Sequence, residues 1–594
     1  MASKPHQSTI LLRWNEQIPA SGVQDPLGLA LRGSARLASR LLYCVTSITP
    51  RARYFSYLPW CIYDYQQREE NEPFKAGLRK GIIYREQILT LGCVAHHDGE
   101  SCAGGTLVGS TRASKWLAEG RSEISFRSRN DFAKVPALSA YFNSLVNLGL
   151  FETDDDHKKD EQADEEETQH SFEDLRLSLL GLDLAKRLDS RLSGLAATSQ
   201  IASKERKCQV RDLRRFGSRA GLCELATTEA PELPLLRDIF FTNVPMATPG
   251  RPSSHPMRRR TLLLLMHFCE KLGRDDWNLS ESTFSSIVYY GEVVEEKERL
   301  LVDVPAPLRD IAERWRMFYF HHYMGVALES LFAWLTTALV PYELNGATLE
   351  TLLRQSGTAS ARKDFEAYCG FKLTASFADL CPSDLFAMAG IPYGSVGDDL
   401  SILLDKHLRP SHALSEESLE SAIREKGNKD TPLGLMQPLV LLAVSLARYQ
   451  RWRETRYGRW LANTSKGNGL NLVPPLVLRN LEKHFGNLWQ IPFHLIGEYV
   501  LREFVVQQHQ SMATMKTKRD DRCLLQQDDN SARLIAEEAF DKIGMGNPRL
   551  GSAIQILTDL GFMSKDDGET LTLTADGRKW LKAEMAKETS HEVS

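Results

Sequence analysis

Leu557-Thr-Asp-Leu560-Gly561-Phe562-Met563, then Ser564 to Thr570, then Leu571-Thr-Leu573-Thr-Ala-Asp-Gly577-Arg-Lys-Trp580 is a compact piece of local grammar. Apolar residues at helical spacing run into Gly561, the residue type that most easily takes the left-handed turn ending a helix. A short strand follows, then a polar loop, then an alternating strand through Leu571 and Leu573, then a second helix. The same order occurs far upstream in Leu145-Val-Asn-Leu148-Gly149-Leu150-Phe151, a polar excursion, and Leu175-Arg-Leu177-Ser-Leu-Leu-Gly181-Leu-Asp-Leu184.

This order resembles the winged-helix domain, with its recognition helix, wing and closing helix. The resemblance implies two α+β modules of that type, the first from about Glu72 to Ser193. A wing or helix that touches DNA should be positively charged, because phosphate contacts dominate affinity. The first wing instead concentrates ten carboxylates between Glu152 and Glu167. The second carries Lys565 against Asp566, Asp567 and Glu569, and its helix offers Arg549, Ser552, Gln555 and Thr558. Arg549 and Gln555 are the candidate contacts there, but partner docking fits both modules better than reading of DNA sequence.

At 594 residues the chain is too long for one core. A net charge of −4 means that any attraction to nucleic acid must be local. No run approaches the ~20 apolar residues of a membrane span; Leu262 to Cys269 and Leu439 to Leu446 suit buried helices instead. Residues 1–20 hold no signal-peptide stretch, and ten scattered cysteines form no disulfide framework, so a cytoplasmic protein is expected.

Five consecutive segments are predicted: an N-terminal helix and Arg/aromatic motif (1–71), a winged-helix-like module with a disordered acidic wing at 152–170 (72–195), an irregular linker (196–257), a large helical body (258–515) and a C-terminal winged-helix-like module (516–594). Asp25-Pro26 signals a helix start, and Leu27, Leu31, Ala35, Ala38, Leu42 and Val45 extend the helical period. The fold class expected is mainly α.

Candidate chemistry centres on arginine. Arg32, Arg36 and Arg40 lie four apart on one helix face, Arg51 and Arg53 follow, and no acidic residue occurs from Pro26 to Tyr63. The guanidinium fork suits phosphate, and Tyr54, Phe55, Tyr57 and Trp60 could stack on bases. Alternatively, these aromatics form core while the arginines meet carboxylates elsewhere. Cys93, His96, His97, Asp98 and Cys102 cluster in sequence, but only Cys93-x-x-His96 has zinc-like spacing, so no metal or other cofactor is expected. Glu295 and Lys297 have the acid-x-lysine order of metal-dependent nucleases, although core packing better suits His321, His322 and Glu329. Neither a phosphate-binding P-loop nor a serine nucleophile elbow occurs.

The segment Thr46-Ser-Ile-Thr-Pro-Arg-Ala-Arg-Tyr-Phe-Ser-Tyr-Leu-Pro-Trp60 resembles the hallmark of an uncharacterised bacterial family associated with phage-defence gene islands. Gly104-Gly-Thr-Leu-Val-Gly109 with Pro136 to Leu150, and the tract from Trp315 to Phe332, are similar to later elements of that family. The resemblance assigns no catalytic residue. It implies a non-catalytic subunit of an anti-phage or DNA-processing complex, beside a co-encoded helicase or nuclease, binding DNA or partner proteins and no membrane. The alternative is a metal-dependent nuclease effector using Glu295 and Lys297.

Overall fold

The structure is a computed structural model. It describes residues 27–593 except 28, 74, 101–106, 127–131, 134, 153–174, 228–229, 243–254, 274–276, 296–297, 343–345, 357–358, 377, 392–399, 428–433, 466–473, 515–523, 529–530, 536–539, 541–542, 544–545 and 566–569. The protein is mainly helical, as expected, with short antiparallel strand pairs and one three-stranded sheet among the described residues. It divides into two units, each built from separated stretches of chain. A hairpin unit takes Ala38–Phe284, Val304–Ala312 and Arg549–Ser594; a helical unit takes Met1–Leu37, Ser285–Asp303 and Glu313–Pro548.

Both helix–strand–strand–helix stretches lie in the hairpin unit. Helix Ala137–Asn147 leads through Gly149 into strand Phe151–Glu152, which pairs antiparallel with Arg176–Leu177 before helix Leu179–Leu192. Helix Leu550–Asp559 leads through Gly561 into Met563–Lys565, which pairs with Leu571–Leu573 before helix Ala575–Val593. Gly149 (φ +71°) and Gly561 (φ +75°) both take the left-handed turn, which costs glycine no steric penalty.

The two stretches match bond for bond. The Leu150 and Phe562 amides donate back to the Leu145 and Leu557 carbonyls, and the Ser178 and Thr574 amides donate to the Leu150 and Phe562 carbonyls. Ser178 Oγ donates to the Gly149 carbonyl and accepts from the Gly181 amide (3.0 Å). Thr574 Oγ1 does the same with the Gly561 carbonyl (2.7 Å) and the Gly577 amide (2.9 Å). A hydroxyl thus caps each closing helix while tying it to the glycine turn. The closing helices approach so closely that a Cβ at Gly181 or Gly577 would stand 2.1 Å from the Leu150 or Phe562 carbonyl oxygen.

Several expectations are corrected. Part of the supposed linker is ordered: residues 196–241 hold helices Ala196–Ile201, Val210–Ala220, Glu224–Thr227 and Leu233–Phe241 and strand Lys207–Gln209. The buried face Leu213, Phe216, Gly217 and Ala220 of the 210–220 helix is narrow, so its arginines dominate the composition. The aromatic segment is the first part of a helix, Tyr54–Arg68, with Pro59 inside it. The helix expected from residue 25 begins, among the described residues, as a widened π turn, Leu29–Ser34, followed by Ala35–Leu41.

Within the segment expected to be a helical body, Glu292–Glu295 pairs with Glu298–Leu301 as a hairpin. In the segment assigned to the C-terminal module, Leu525–Asp528 is a strand paired with Ser531–Leu534 in the helical unit. The acidic wing falls almost wholly on residues outside those described. Ala306–Tyr342 corrects the expectation that no segment approaches a membrane span: it is long and apolar enough to cross one, but 78% of its most apolar window is buried inside the protein. Apolar character all round is the mark of a core helix.

Because each glycine leaves no room beside a backbone carbonyl, G181A and G577A should each lower stability by about 1–3 kcal/mol, the usual range for overpacking. Chemical-denaturation midpoints check this, with exposed Gly551→Ala on the 550–559 helix as a neutral control.

Candidate functional site

The Arg/aromatic motif sits at the start of the 54–68 helix, inside the hairpin unit. Arg51, Ala52, Arg53, Tyr54, Phe55, Tyr57 and Trp60 are all buried. Arg51 Nε donates to Asp559 Oδ2 (2.9 Å), and the Ala52 amide donates to the same oxygen (2.9 Å). The Arg51 amide donates to the Tyr141 hydroxyl (3.1 Å). One dipeptide therefore grips the helix of the second hairpin module through Asp559 and that of the first through Tyr141. Burial pushes the Asp559 carboxyl up, against the opposing pull of Arg51; the three donors from Arg51, Ala52 and Gln555 mark it as an acceptor.

Arg53 lies 2.8 Å from Glu232, both side chains fully buried. That contact is a charge pair rather than an aligned hydrogen bond. Arg53 Nη1 donates to the Gly221 carbonyl (3.3 Å), and Nη2, the nitrogen beside Glu232, donates to the Arg219 carbonyl (3.0 Å). Phe55 meets Tyr141 and Phe240 edge-on, and the Trp60 indole donates to Asp189 (3.1 Å). Deeper still, Arg85 bridges Asp64 (2.8 Å) and Glu69 (3.1 Å), while the Glu86 carboxylate accepts from the Ala137 and Leu138 amides (both 2.8 Å), capping the first module's helix.

These contacts correct the nucleic-acid assignments of Arg51 and Arg53: their guanidinium groups are committed to carboxylates and carbonyls inside the unit. Arg549, at φ +62° before the 550–559 helix, donates to the Val45 carbonyl (3.1 Å), and Gln555 donates to Asp559 (2.9 Å). Both are therefore drawn into the same internal framework, although each remains partly exposed. Arg36 and Arg40 are exposed, and the Arg32 side chain lies outside those described.

A basic feature not anticipated is the 210–220 helix. Arg211, Arg215 and Arg219 are exposed and spaced by four, and Arg214 is exposed beside them. Arg214 pairs with Asp98 (2.7 Å) and Arg211 lies 3.9 Å from Asp212, whereas no ion pair forms at Arg215 or Arg219 among the described residues. The i, i+4, i+8 arginine spacing is the signal that would have found it. The nuclease alternative gains nothing: Glu295 is exposed at a hairpin end, Lys297 lies outside the described residues, and the acid/His/Cys cluster found among the described residues lies elsewhere, at His96, His97 and Cys223.

The helical unit holds a separate polar network. Glu416 accepts from the Tyr289 (2.8 Å) and Tyr290 (3.1 Å) hydroxyls and from Arg448 (2.8 Å), which also reaches Asp405 (2.6 Å). His322 and Arg424 meet Glu420 at 2.9 and 2.7 Å, and with them the Glu420 carboxyl drops to about 2 despite burial. Burial and the neighbouring Glu420 push Glu417 up to about 7. Burial, then His322, lowers His321 to about 4. It packs as a neutral ring with Nδ1 3.3 Å from Ser34 Oγ, and a Cβ at Gly33 would collide with it at 2.4 Å. Compared with protein-family models, curated proteins and solved structures, the chain shows no match, so its own geometry carries the functional reading.

R51M should destabilise the protein by about 3–5 kcal/mol, because it strands a buried carboxylate. R51M/D559L should recover most of that loss, and denaturant titrations of the three variants would show it. For Glu417, a raised pKa favours the protonated form in the fold. Its stabilising effect is therefore full below about pH 4.5 and is lost as pH rises through 7, by at most about 3 kcal/mol. E417Q should consequently raise the melting temperature at pH 8 and leave it nearly unchanged at pH 4.5–5; equal shifts at both pH values would refute this.

Proposed function

We propose that the chain is a non-catalytic subunit of a nucleic-acid-processing assembly, in which the hairpin unit binds the nucleic-acid backbone and docks a catalytic partner. The observation that carries this reading is the exposed Arg211–Arg215–Arg219 stripe. Residues four apart advance about 6 Å along a helix, so the stripe presents three guanidinium forks in a row, the donor geometry that suits phosphate. Arg40 of the same unit adds exposed positive charge. The stripe takes over the role expected of Arg51 and Arg53, which hold the unit together instead.

The two hairpin modules are winged-helix-like in this reading and serve as docking pieces. The helix in the recognition position of the second module buries Ser552 and Asp559 and leaves few donors for base edges. Resemblance of residues 46–60 to a phage-defence family supports placing the assembly in anti-phage defence, with a helicase or nuclease as partner and a cytoplasmic setting.

Fluorescence anisotropy with labelled double- and single-stranded DNA and RNA tests the proposal. The wild-type chain should bind at low salt with affinity falling as salt rises. R211E/R215E/R219E should weaken binding across sequences and reduce the salt slope by about 2–3, roughly one per lost phosphate contact. Failure to bind any of these nucleic acids at low salt, or identical behaviour of the triple variant, would sink the backbone-binding role. Metal-dependent cleavage by the purified chain, abolished by E295A, would favour the nuclease alternative.

A further inference from the structure

The 78–96 helix ends in His96, capped by His97; the turn after the 210–220 helix carries Cys223, and Glu224 opens the 224–227 helix. These pairs lie 126 to 128 positions apart yet meet side chain to side chain. His97 Nε2 stands 3.2 Å from Cys223 Sγ, His96 Nε2 stands 3.3 Å from Glu224 Oε1, and Cys223 Sγ stands 3.9 Å from the same oxygen. One ligand atom from each of His96, His97 and Cys223 falls within 4.8 Å of the others. All of this lies within the hairpin unit.

We infer that His96, His97 and Cys223 bind a zinc ion, with the Glu224 carboxylate beside them and the fourth position open to water. Bonds of about 2.0–2.1 Å to nitrogen or oxygen and about 2.3 Å to sulfur place tetrahedral ligand atoms roughly 3.3–3.7 Å apart. The His97–Cys223 separation of 3.2 Å is within a few tenths of an ångström of that range, and all three ligand atoms lie within 4.8 Å of one another. Imidazole nitrogen and cysteine sulfur are the ligand types zinc favours. A divalent cation would engage the three donor atoms together. The thiolate and carboxylate would balance the ion's charge, with the Cys223 proton released to solvent on binding.

The surroundings are built for precision. Where the two helices cross, a Cβ on Gly217 would lie 1.9 Å from the Gly92 carbonyl oxygen, so glycine at both positions lets the backbones touch one turn before His96. Arg214 donates to the Ala95 carbonyl (2.9 Å) and to Asp98 (2.7 Å), fixing the helix end that bears the histidines. Arg53 holds the Arg219 and Gly221 carbonyls, and so positions the loop that delivers Cys223. Rigid support of this kind is what a metal site requires of the shell behind its ligands. With its ligand groups all partly exposed, the cluster is reachable by an incoming ion. This inference stands independently of the nucleic-acid reading.

Full-length protein stripped with a chelator should rebind one equivalent of zinc in competition with a chromophoric chelator. Cobalt in its place should give tetrahedral d–d bands and a thiolate charge-transfer band. C223S should lose the charge-transfer band, and C223S and H97N should each weaken zinc binding at least about 100-fold, beyond the 10–100-fold typical of an outer-shell loss. Circular dichroism would confirm that both variants stay folded. C93S, a buried neighbour outside the cluster, should retain both affinity and spectrum. Less than one equivalent bound by folded wild-type protein, a cobalt spectrum without a thiolate band, or wild-type affinity in C223S and H97N would overturn the assignment.

Discussion

The Asp559 carboxylate, buried and receiving both the Arg51 side chain and the Ala52 amide, is the constraint on which the hairpin unit depends. A buried carboxylate is costly unless its lone pairs are occupied. Here one oxygen takes two donors from the N-terminal motif and the other takes Gln555 from its own helix. The same dipeptide reaches Tyr141 through its backbone amide. Register is set by this fork: a slide of the second module would uncover a charge and a slide of the first a buried amide, whereas an apolar seam would tolerate small displacements. The motif thus orients two modules with the same internal bonding, and the aromatic contacts of Phe55 with Tyr141 and Phe240 fill the space between those fixed points.

Arg53 performs a related task two residues on. It neutralises Glu232 and holds the two carbonyls of the loop leading to Cys223. Arg51 and Arg53 are the same residue type, but one ties the modules together and the other shapes the loop behind the basic helix. Their burial also frees the functional reading from them. Positive charge available to a ligand lies on the 210–220 helix, whose apolar face is packed and whose arginine face is open.

What the sequence made legible follows the distance over which each signal acts. Both hairpin modules are readable because their determinants are local: a glycine that must take positive φ, an alternating strand and a hydroxyl–glycine pair all lie within one short segment. Helical character is equally local, apart from interruptions such as the π turn at Leu29–Ser34, where the bulk of His321 meets Gly33. The role of the motif is not readable. Its partners stand as far away as Asp559, and an acid-free run of arginines looks the same whether the anion it meets is a ligand phosphate or a carboxylate on a distant helix. Compositional reading failed for the opposite reason at residues 210–220, where an exposed charged face outweighed a narrow buried one.

The histidine–cysteine cluster unites these two lessons. Zinc-site patterns are sought as short spacings because most small sites fold around their metal, but a helix crossing can do the same work over a long separation. Gly92 and Gly217 bring the helix backbones into contact, Arg214 and Arg53 fix the two chain segments that follow, and the three clustered side chains then have little freedom left to lose. Preorganisation of that kind reduces the conformational entropy that ligand ordering would otherwise cost. Cys93, which had the expected spacing to His96, is instead buried one turn back along the same helix. The contacts decide between them: His97, which caps the helix, meets Cys223 at 3.2 Å, and His96 in its last turn meets Glu224 at 3.3 Å.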